Sequence, residues 1–171
     1  MNQIVIVCDS LTGNTSMLAE ALRDHLQIEA VHLTTPAQAD PDSSDCFVVG
    51  SWTDKGDCTA NTAAFLGKLE KKSVFIFGTC GFGQSEAYYD TVYRRFADHL
   101  NADNHIIGHY FCQGKMPKAV LQRYEAMKAA NPENSKWDES IANFNEALNH
   151  PNADDIQRLC QAVDAALESI K

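Results

Sequence analysis

Five short runs rich in Val, Ile and Phe alternate along the chain with segments of helical periodicity. The runs are predicted as strands and cover residues Gln3–Cys8, Glu29–Leu33, Asp45–Gly50, Ser73–Gly78 and His105–Cys112. The first, third and fourth runs are apolar at nearly every position, which is typical of parallel strands covered on both faces. Strand and helix in steady succession therefore predict an open α/β sheet with right-handed crossovers.

Helical patterns fill the intervals and then dominate the tail of the chain. One helix is predicted after Thr15, a weaker one over Ala60–Leu69 and another after Ser85. The tail predicts helices over Pro117–Ala130 and Asp138–Asn149, and a last helix capped at Asn152 with Asp155 as its third-position acid. We expect one domain, 1–171, with 115–150 as a helical insertion within it.

Charge and cysteine usage narrow the class of function. The formal net charge is −9, so the surface repels nucleic acid and anionic membranes and favours a basic protein partner. No apolar run approaches the roughly 20 residues of a membrane span, and no signal peptide is recognised, so a cytoplasmic location is expected. The six cysteines form no Cys-x-x-Cys pair, which argues against a disulfide framework or a zinc site. We expect Cys8, Cys46, Cys112 and Cys160 to be small buried hydrophobes. Cys58 and Cys80 fall in predicted loops, where packing is favoured over a redox-sensitive thiol. No metal ligands are predicted.

A turn rich in hydroxyl groups follows the first strand and opens onto a helix. Its residues are Ser10, Leu11, Thr12, Gly13, Asn14 and Thr15. Hydroxyls, an amide and backbone N–H groups at a helix start can hold a terminal phosphate. The turn has no Lys for a transferring phosphate, so it is not built for phosphoryl transfer. The sequence therefore predicts a mononucleotide that is bound for the chemistry of its other end.

Two further loops are predicted at the same edge of the sheet, where ligands of open α/β sheets bind. The loop after the third strand supplies the candidate binding residues Ser51, Trp52, Thr53, Asp54 and Gly56. The loop after the fourth strand supplies Thr79, Cys80, Gly81, Phe82 and Gly83. Trp52 lies just past a buried strand in a loop that contains Gly56, and Phe82 is flanked by two glycines. Together with the phosphate turn, the two aromatic residues predict a planar ring system held between or beside them.

These three loops, in this order, resemble the flavodoxin family, and the segment 10–15 matches its phosphate signature Ser-x-Thr-Gly-Asn-Thr. The resemblance implies a three-layer fold with a five-stranded parallel sheet of order 2-1-3-4-5. It also implies FMN as cofactor, low-potential transfer of single electrons, and a hydrogen bond from flavin N5–H to the carbonyl of Gly56 or a neighbour. Reductase and acceptor proteins would then dock at the acidic flavin face. No catalytic residue is assigned, and an electron carrier is favoured over an enzyme with its own substrate.

The helices at 117–149 are absent from minimal flavodoxins. They resemble a flavodoxin-like subgroup of anaerobic bacteria, some of whose members are associated with bilirubin reduction. Two alternatives to the general carrier remain. The protein could be an interaction module, with or without flavin, dedicated to one partner reductase such as a tetrapyrrole (bilirubin) reductase. A response-regulator receiver is disfavoured, because its phosphoacceptor Asp should end the third strand, where Gly50 and Ser51 stand.

Overall fold

The computed structural model describes residues 3–26, 31–83 and 85–170. The strands within them are β1 Ile4–Asp9, β2 Val31–Thr34, β3 Cys46–Trp52, β4 Ser73–Cys80 and β5 His105–Gln113. The helices are α1 Asn14–Leu26, α2 Ala60–Leu66, α3 Glu86–Ala97, α4 Lys118–Ala130, α5 Lys136–Ala147 and α6 Ala153–Ser169. Glu29, in the second predicted strand, and Gln84, in the third loop, lie outside the described residues.

All five strands run parallel, in the order β2-β1-β3-β4-β5. This confirms the predicted sheet. β1 lies between β2 and β3, with Val7 opposite both Thr34 and Val49. The strand order therefore reverses between β1 and β3, and in open α/β sheets a ligand binds beyond the carboxyl ends of the strands at such a point.

Helices cover both faces of the sheet and give the three layers that were predicted. On one face, α1 and α6 pack over alternate strand residues that include Ile6, Val48 and Phe77. On the other face, α2 and α3 pack over Val7, Val49 and their neighbours. Burial on both faces explains why the central strands are apolar at nearly every position.

The last helix begins as the sequence predicts. Asn152 Oδ1 accepts the backbone N–H of Asp155 at 3.1 Å, and the Asp155 carboxylate accepts the backbone N–H of Asn152 at 2.9 Å. This reciprocal pair is a capping box. Further along α6, Leu159 and Val163 are fully buried against the sheet, which confirms that the apolar stripe of this helix covers it.

Helices α4 and α5 form a hairpin outside the three layers. None of the residues of α4 is buried, and the helix packs on α5, where Lys128 Nζ lies 2.5 Å from Asp138 Oδ1. α5 in turn buries Phe144 and Ala147. The insertion is therefore attached to the rest of the protein through α5.

The predicted strand ends at Gly50 and Gly78 are wrong by two residues. β3 continues through Trp52 and β4 through Cys80, since Trp52 pairs with Thr79 and Cys80 pairs with Gln113. Ladder hydrogen bonds use the backbone and tolerate polar side chains at the open end of a sheet, so polarity there does not mark a loop. Helix bounds also differ: α2 ends at Leu66 rather than Leu69, α4 begins at Lys118 rather than Pro117, and α5 spans 136–147 rather than 138–149.

Candidate functional site

The turn between β1 and α1 lies at the carboxyl edge of the sheet. Gly13 has a φ of 94°, a conformation that L side chains rarely adopt, and α1 begins at the next residue, Asn14. The first N–H groups of a helix have no partner within it, and they attract anions. Leu11 is 69% exposed, so its side chain packs against little of the protein. What this residue can offer a ligand is its backbone.

Three hydroxyl groups around this turn have protons to donate. Ser10 Oγ is buried and has no hydrogen-bond partner among the described residues. Thr15 Oγ1 and Thr79 Oγ1 lie 2.9 Å apart, so one donates to the other, whose own proton stays available. Thr12 Oγ1 accepts from Asn14 Nδ2 at 3.3 Å and keeps its proton. Phosphate oxygens are strong acceptors for such donors.

The amide of Asn14 has a structural role that the sequence did not indicate. Its Nδ2 donates to the carbonyl of Lys115 at 2.9 Å, which ties the turn to the segment after β5. A Cβ on Gly114 would lie 2.7 Å from that nitrogen, so the close approach requires glycine. Asn14 therefore fixes the turn against the segment after β5.

The second predicted loop contains a tight hairpin. Asp54 N–H donates to the Asp57 carbonyl at 2.9 Å, and Asp57 N–H donates to the Asp54 carbonyl at 3.1 Å. Lys55 and Gly56 form the tip, with φ of 51° and 84°. Positive φ at both central residues is the signature of a type I′ turn, in which glycine is favoured.

Two side chains from the α3 region hold this hairpin, and neither was singled out as a site residue from the sequence. Arg95 Nη1 lies 3.3 Å from the Gly56 carbonyl oxygen, and His99 Nε2 lies 3.0 Å from Asp57 Oδ2. The ligating atoms of Asp57, Cys58 and His99 also lie within 4.8 Å of one another, a cluster that linear spacing does not reveal. The hairpin therefore has a fixed base and a tip that is held by a cation.

The second and third loops are joined to each other where β3 and β4 end. Thr53 N–H donates to the Thr79 carbonyl at 3.0 Å, and Thr53 Oγ1 lies 3.3 Å from Cys80 Sγ. Trp52 is partly exposed just before this junction. Phe82 is 55% exposed and makes an edge-to-face contact with Tyr88 at 5.6 Å. Both aromatic side chains thus keep exposed surface for a planar ligand.

The third loop is held by the insertion. Asn143 of α5 donates through Nδ2 to the Gly81 carbonyl at 3.0 Å and accepts the Gly83 N–H at 3.3 Å. Gln113, at the end of β5, donates through Nε2 to Asn143 Oδ1 at 2.9 Å. A Cβ on Gly83 would lie 2.7 Å from Gln113 Oε1, so this position requires glycine. One side chain of α5 therefore sets the conformation of the loop that carries Phe82.

Replacing Asn143 by Ala removes the two hydrogen bonds that this side chain makes to the Gly81–Gly83 backbone and leaves the one from Gln113 Nε2 to the Gly81 carbonyl. For FMN, the ligand that the sequence resemblance implies, we expect the affinity to fall by about 1–3 kcal/mol, since partly buried loop groups lose their partners and the loop is no longer preorganised. Quenching of FMN fluorescence on titration into apoprotein measures this. Asn145→Ala, at an exposed position of the same helix, is the matched control and should bind as the parent does. Equal affinity in the two variants would contradict a role for Asn143.

The thiols near these loops are packed rather than reactive. Cys58 and Cys80 are 8% and 1% exposed. Burial raises the pKa of Cys58 to about 12, with the neighbouring Asp57 carboxylate adding to the effect, and raises the pKa of Cys80 to about 11. At neutral pH both are protonated thiols, which are poor nucleophiles.

Taken together, the site joins a turn rich in hydroxyl donors to two loops with exposed aromatic rings at the switch point of a parallel sheet. Ser10 Oγ, a buried hydroxyl without a partner among the described residues, fits a phosphate oxygen as acceptor. No cationic side chain stands in the turn to assist phosphoryl transfer. These features define a protein that binds a mononucleotide with a planar ring, and the residues present fit FMN.

Comparison with known proteins agrees. The Flavodoxin domain family matches residues 5–164. A flavodoxin-like domain-containing protein BilS of Clostridium symbiosum is 31% identical over 168 residues, with 88% of each chain covered. The protein of the same name from Clostridioides difficile is 28% identical over 156 residues, with 89% of each chain covered.

Solved structures show the same fold. A short-chain flavodoxin associated with a PDU bacterial microcompartment superposes with a TM-score of 0.61 at 17% identity, covering 99% of this chain and 98% of that one. A Lactobacillus acidophilus flavoprotein in complex with FMN gives 0.52 at 12% identity, covering 73% of this chain and 99% of that one.

The chain belongs to the flavodoxin family, whose members are FMN-binding electron-transfer proteins. FMN is therefore the cofactor, and redox proteins are the class of partner. The family favours the flavodoxin interpretation over the receiver alternative. Among the described residues, no helix has the length and apolar character needed to span a membrane.

Proposed function

We propose that this protein carries single electrons at low potential between a reductase and an acceptor enzyme. The observation that carries the proposal is the cation-free turn with the buried, unpaired Ser10 hydroxyl, which suits a phosphate that is held and never transferred. FMN, when bound, supplies the redox chemistry through its isoalloxazine ring. The chain's own residues then bind it, orient it and set the local electrostatic field.

The proposed site has more carboxylates than cations. Asp54 is exposed beside the hairpin tip, and Glu86 and Asp90 follow the third loop at the start of α3. Negative charge around the ring disfavours further negative charge on it, which lowers the potential at which the last electron is accepted. Arg95, at the Gly56 carbonyl, opposes this field locally. Asp54 and Arg95 therefore have opposite effects on the potential at which the bound flavin accepts its last electron.

The Gly56 carbonyl, to which the flavodoxin resemblance assigns a hydrogen bond from the flavin, already has a donor. Arg95 Nη1 lies 3.3 Å from this oxygen and 3.5 Å from the Lys55 carbonyl. A flavin N–H would compete with the guanidinium for the same acceptor. Glycine can rotate its peptide group at little steric cost. Gly56 therefore allows its carbonyl to exchange the Arg95 guanidinium for a flavin N–H.

Anaerobic reduction of the FMN-loaded protein tests the proposal. We expect a yellow protein that takes up two electrons at two separate potentials. The visible spectrum, recorded during the reduction, measures both steps. A single two-electron step would overturn the one-electron carrier. Purified protein that is colourless and cannot be reconstituted with FMN would overturn the flavin site and favour a flavin-free interaction module.

Replacing Asp54 by Asn removes one exposed negative charge beside the hairpin tip. We expect the lower of the two potentials to rise by about 20–40 mV, the equivalent of a Coulomb interaction of up to about 1 kcal/mol near a surface. The shift should shrink at high salt because exposed charges are screened. Asp42→Asn, an exposed acid after β2, is the control and should leave the potential unchanged. A fall in potential for Asp54→Asn would contradict the electrostatic argument.

A second candidate function is a module dedicated to one partner reductase, such as a tetrapyrrole (bilirubin) reductase. Two observations favour it: the curated relatives that carry the name BilS, and the α4–α5 hairpin, which is hydrogen-bonded to the third loop through Asn143. Electron transfer restricted to one reductase in a panel of reductases would favour this candidate over the general carrier.

We further propose a cytoplasmic location and a single domain, 1–171, with a helical insertion at 115–150.

A further inference from the structure

The outer edge of β5 offers unpaired backbone groups. β5 is the last strand of the sheet and pairs with β4, towards which Gly114 N–H donates to the Cys80 carbonyl at 2.9 Å. Peptide groups alternate in direction along a strand, so the N–H and C=O groups of His109, Phe111 and Gln113 face away from β4.

The next outward group along the chain confirms this direction. Lys115 N–H donates at 2.9 Å to the carbonyl of His150, which lies on the side away from β4. For the outward groups of His109, Phe111 and Gln113, no backbone partner exists within the part of the chain that the structure describes. Such a row of groups is a template for another strand.

A groove of about 520 Å³ lies along this edge and is lined by acidic side chains. Glu86 and Asp90 of α3 form one wall, and Asp154 in the first turn of α6 forms the other. Asp155 also lines the groove, but its carboxylate is hydrogen-bonded within α6 and to a neighbouring imidazole. Arg158 is the one lysine or arginine among the described residues that line the groove.

We propose that this edge docks an extended, basic segment of a partner protein, which adds as a sixth strand beside β5. Its backbone would pair with the outward groups of His109 and Phe111, up to the buried Gln113, and its Lys or Arg side chains would meet the carboxylates of both walls. An anionic ligand is repelled by four carboxylates set against one guanidinium. A second copy of this chain is disfavoured for the same reason, because two acidic grooves would face each other.

The docking edge ends beside the third loop, which carries Phe82. Gln113, its last residue, donates through Nε2 to the Gly81 carbonyl at 3.2 Å. Gln113 also lines the groove, is 2% exposed, and its Oε1 has no hydrogen-bond partner among the described residues. A segment seated here would lie next to the loop that carries Phe82. That the partner exchanges electrons rests on the proposed function; the strand pairing itself does not.

Amide hydrogen exchange on the full-length protein tests the pairing. The probe is a short capped peptide of alternating lysine and valine, added to protein with and without FMN. We expect the amides of His109 and Phe111 to exchange at least about tenfold more slowly when the peptide is bound. The same peptide methylated on every backbone nitrogen cannot donate along either edge, and it should give no protection.

Charge variants supply the second arm. The triple variant Glu86→Gln, Asp90→Asn, Asp154→Asn should bind the lysine peptide about tenfold more weakly. The matched control is Asp42→Asn, Asp103→Asn, Glu133→Gln, which removes three exposed acids outside the groove and should bind as the parent does.

Three results would overturn the inference. The methylated peptide could protect the same amides equally well, or the lysine peptide could protect only amides elsewhere in the protein. Protection of the edge could also rise with protein concentration in the absence of peptide, which would assign the edge to a second copy of this chain. Failure to bind FMN would instead count against the proposed function alone, since the exchange readout needs no flavin.

Discussion

Raising the pH from 8 to 11 is expected to unfold this protein, because its buried thiols keep their protons in the folded state. Burial raises the pKa of Cys8 and Cys58 to about 12, and that of Cys46 and Cys80 to about 11, from an ordinary value of 9.0. It also raises the pKa values of Cys112 and Cys160. All six cysteines are free thiols and all are buried.

The direction in which stability changes with pH follows from the pKa of each thiol in the folded and unfolded states. Below pH 9 the thiols are protonated in both states, so their contribution to the free energy of unfolding is complete. Above pH 9 the unfolded chain releases protons that the folded chain retains, and stability falls as the pH rises through 11 and 12. At pH 11 each of Cys8, Cys46, Cys58 and Cys80 costs about 2 kcal/mol and Cys112 adds to this, so the sum approaches the whole stability of a domain of this size.

Urea unfolding followed by far-UV circular dichroism at pH 7, 9, 10 and 11 measures this loss. Cys8→Ala and Cys46→Ala each remove one ionising group, so their stability should fall less steeply with pH than that of the parent. Their stability at pH 7 is expected to be lower because of the lost packing, and for this reason the slope is the quantity to compare. Equal slopes in parent and variants would contradict the assignment to thiols.

Replacing Ser10 by Ala is expected to weaken FMN binding by about 1.5–3 kcal/mol, or roughly 10–100-fold in Kd. The Ser10 hydroxyl is buried and has no partner among the described residues, so we expect it to donate a hydrogen bond to a bound phosphate. For the same reason the apoprotein should be no less stable than the parent. Loss of affinity without loss of apoprotein stability separates a ligand contact from a structural one.

Titration of apoprotein with FMN and thermal unfolding of the apoprotein provide the two readouts. Ser43→Ala removes an exposed hydroxyl that donates to the Asp40 carbonyl in another turn, and it should leave FMN affinity unchanged. If Ser10→Ala binds FMN as the parent does, the turn at 10–15 is not the phosphate site.

The parts of the fold that were predicted correctly depend on local patterns. Continuous apolar runs reveal strands covered on both faces, and the order 2-1-3-4-5 followed once the loops suggested a known family. The cap at Asn152 and Asp155 needs only four consecutive residues, and the structure reproduces it. The positions of the site loops were also predicted from local sequence, although the first residues of the second and third loops belong to β3 and β4.

The contacts that shape the site could not be predicted, because they join residues that are distant in sequence. Asn143 and Gly81 are 62 positions apart, and Arg95 and Gly56 are 39 apart. Each depends on how a helix is set against a loop, which no periodicity encodes. The hairpin at 54–57 was missed for another reason: Lys55 occupies a positive φ that is usually filled by Asn, Asp or Gly.

The hydrogen bond from Lys115 N–H to the His150 carbonyl brings the two ends of the helical insertion side by side. The chain leaves the five-stranded core and returns to it at neighbouring points, so 116–149 can be exchanged for another segment without altering the sheet. Such an exchange removes Asn143, and with it the support of the third loop. A protein that acquires a new insertion would therefore change its outer surface and its hold on the cofactor in one step.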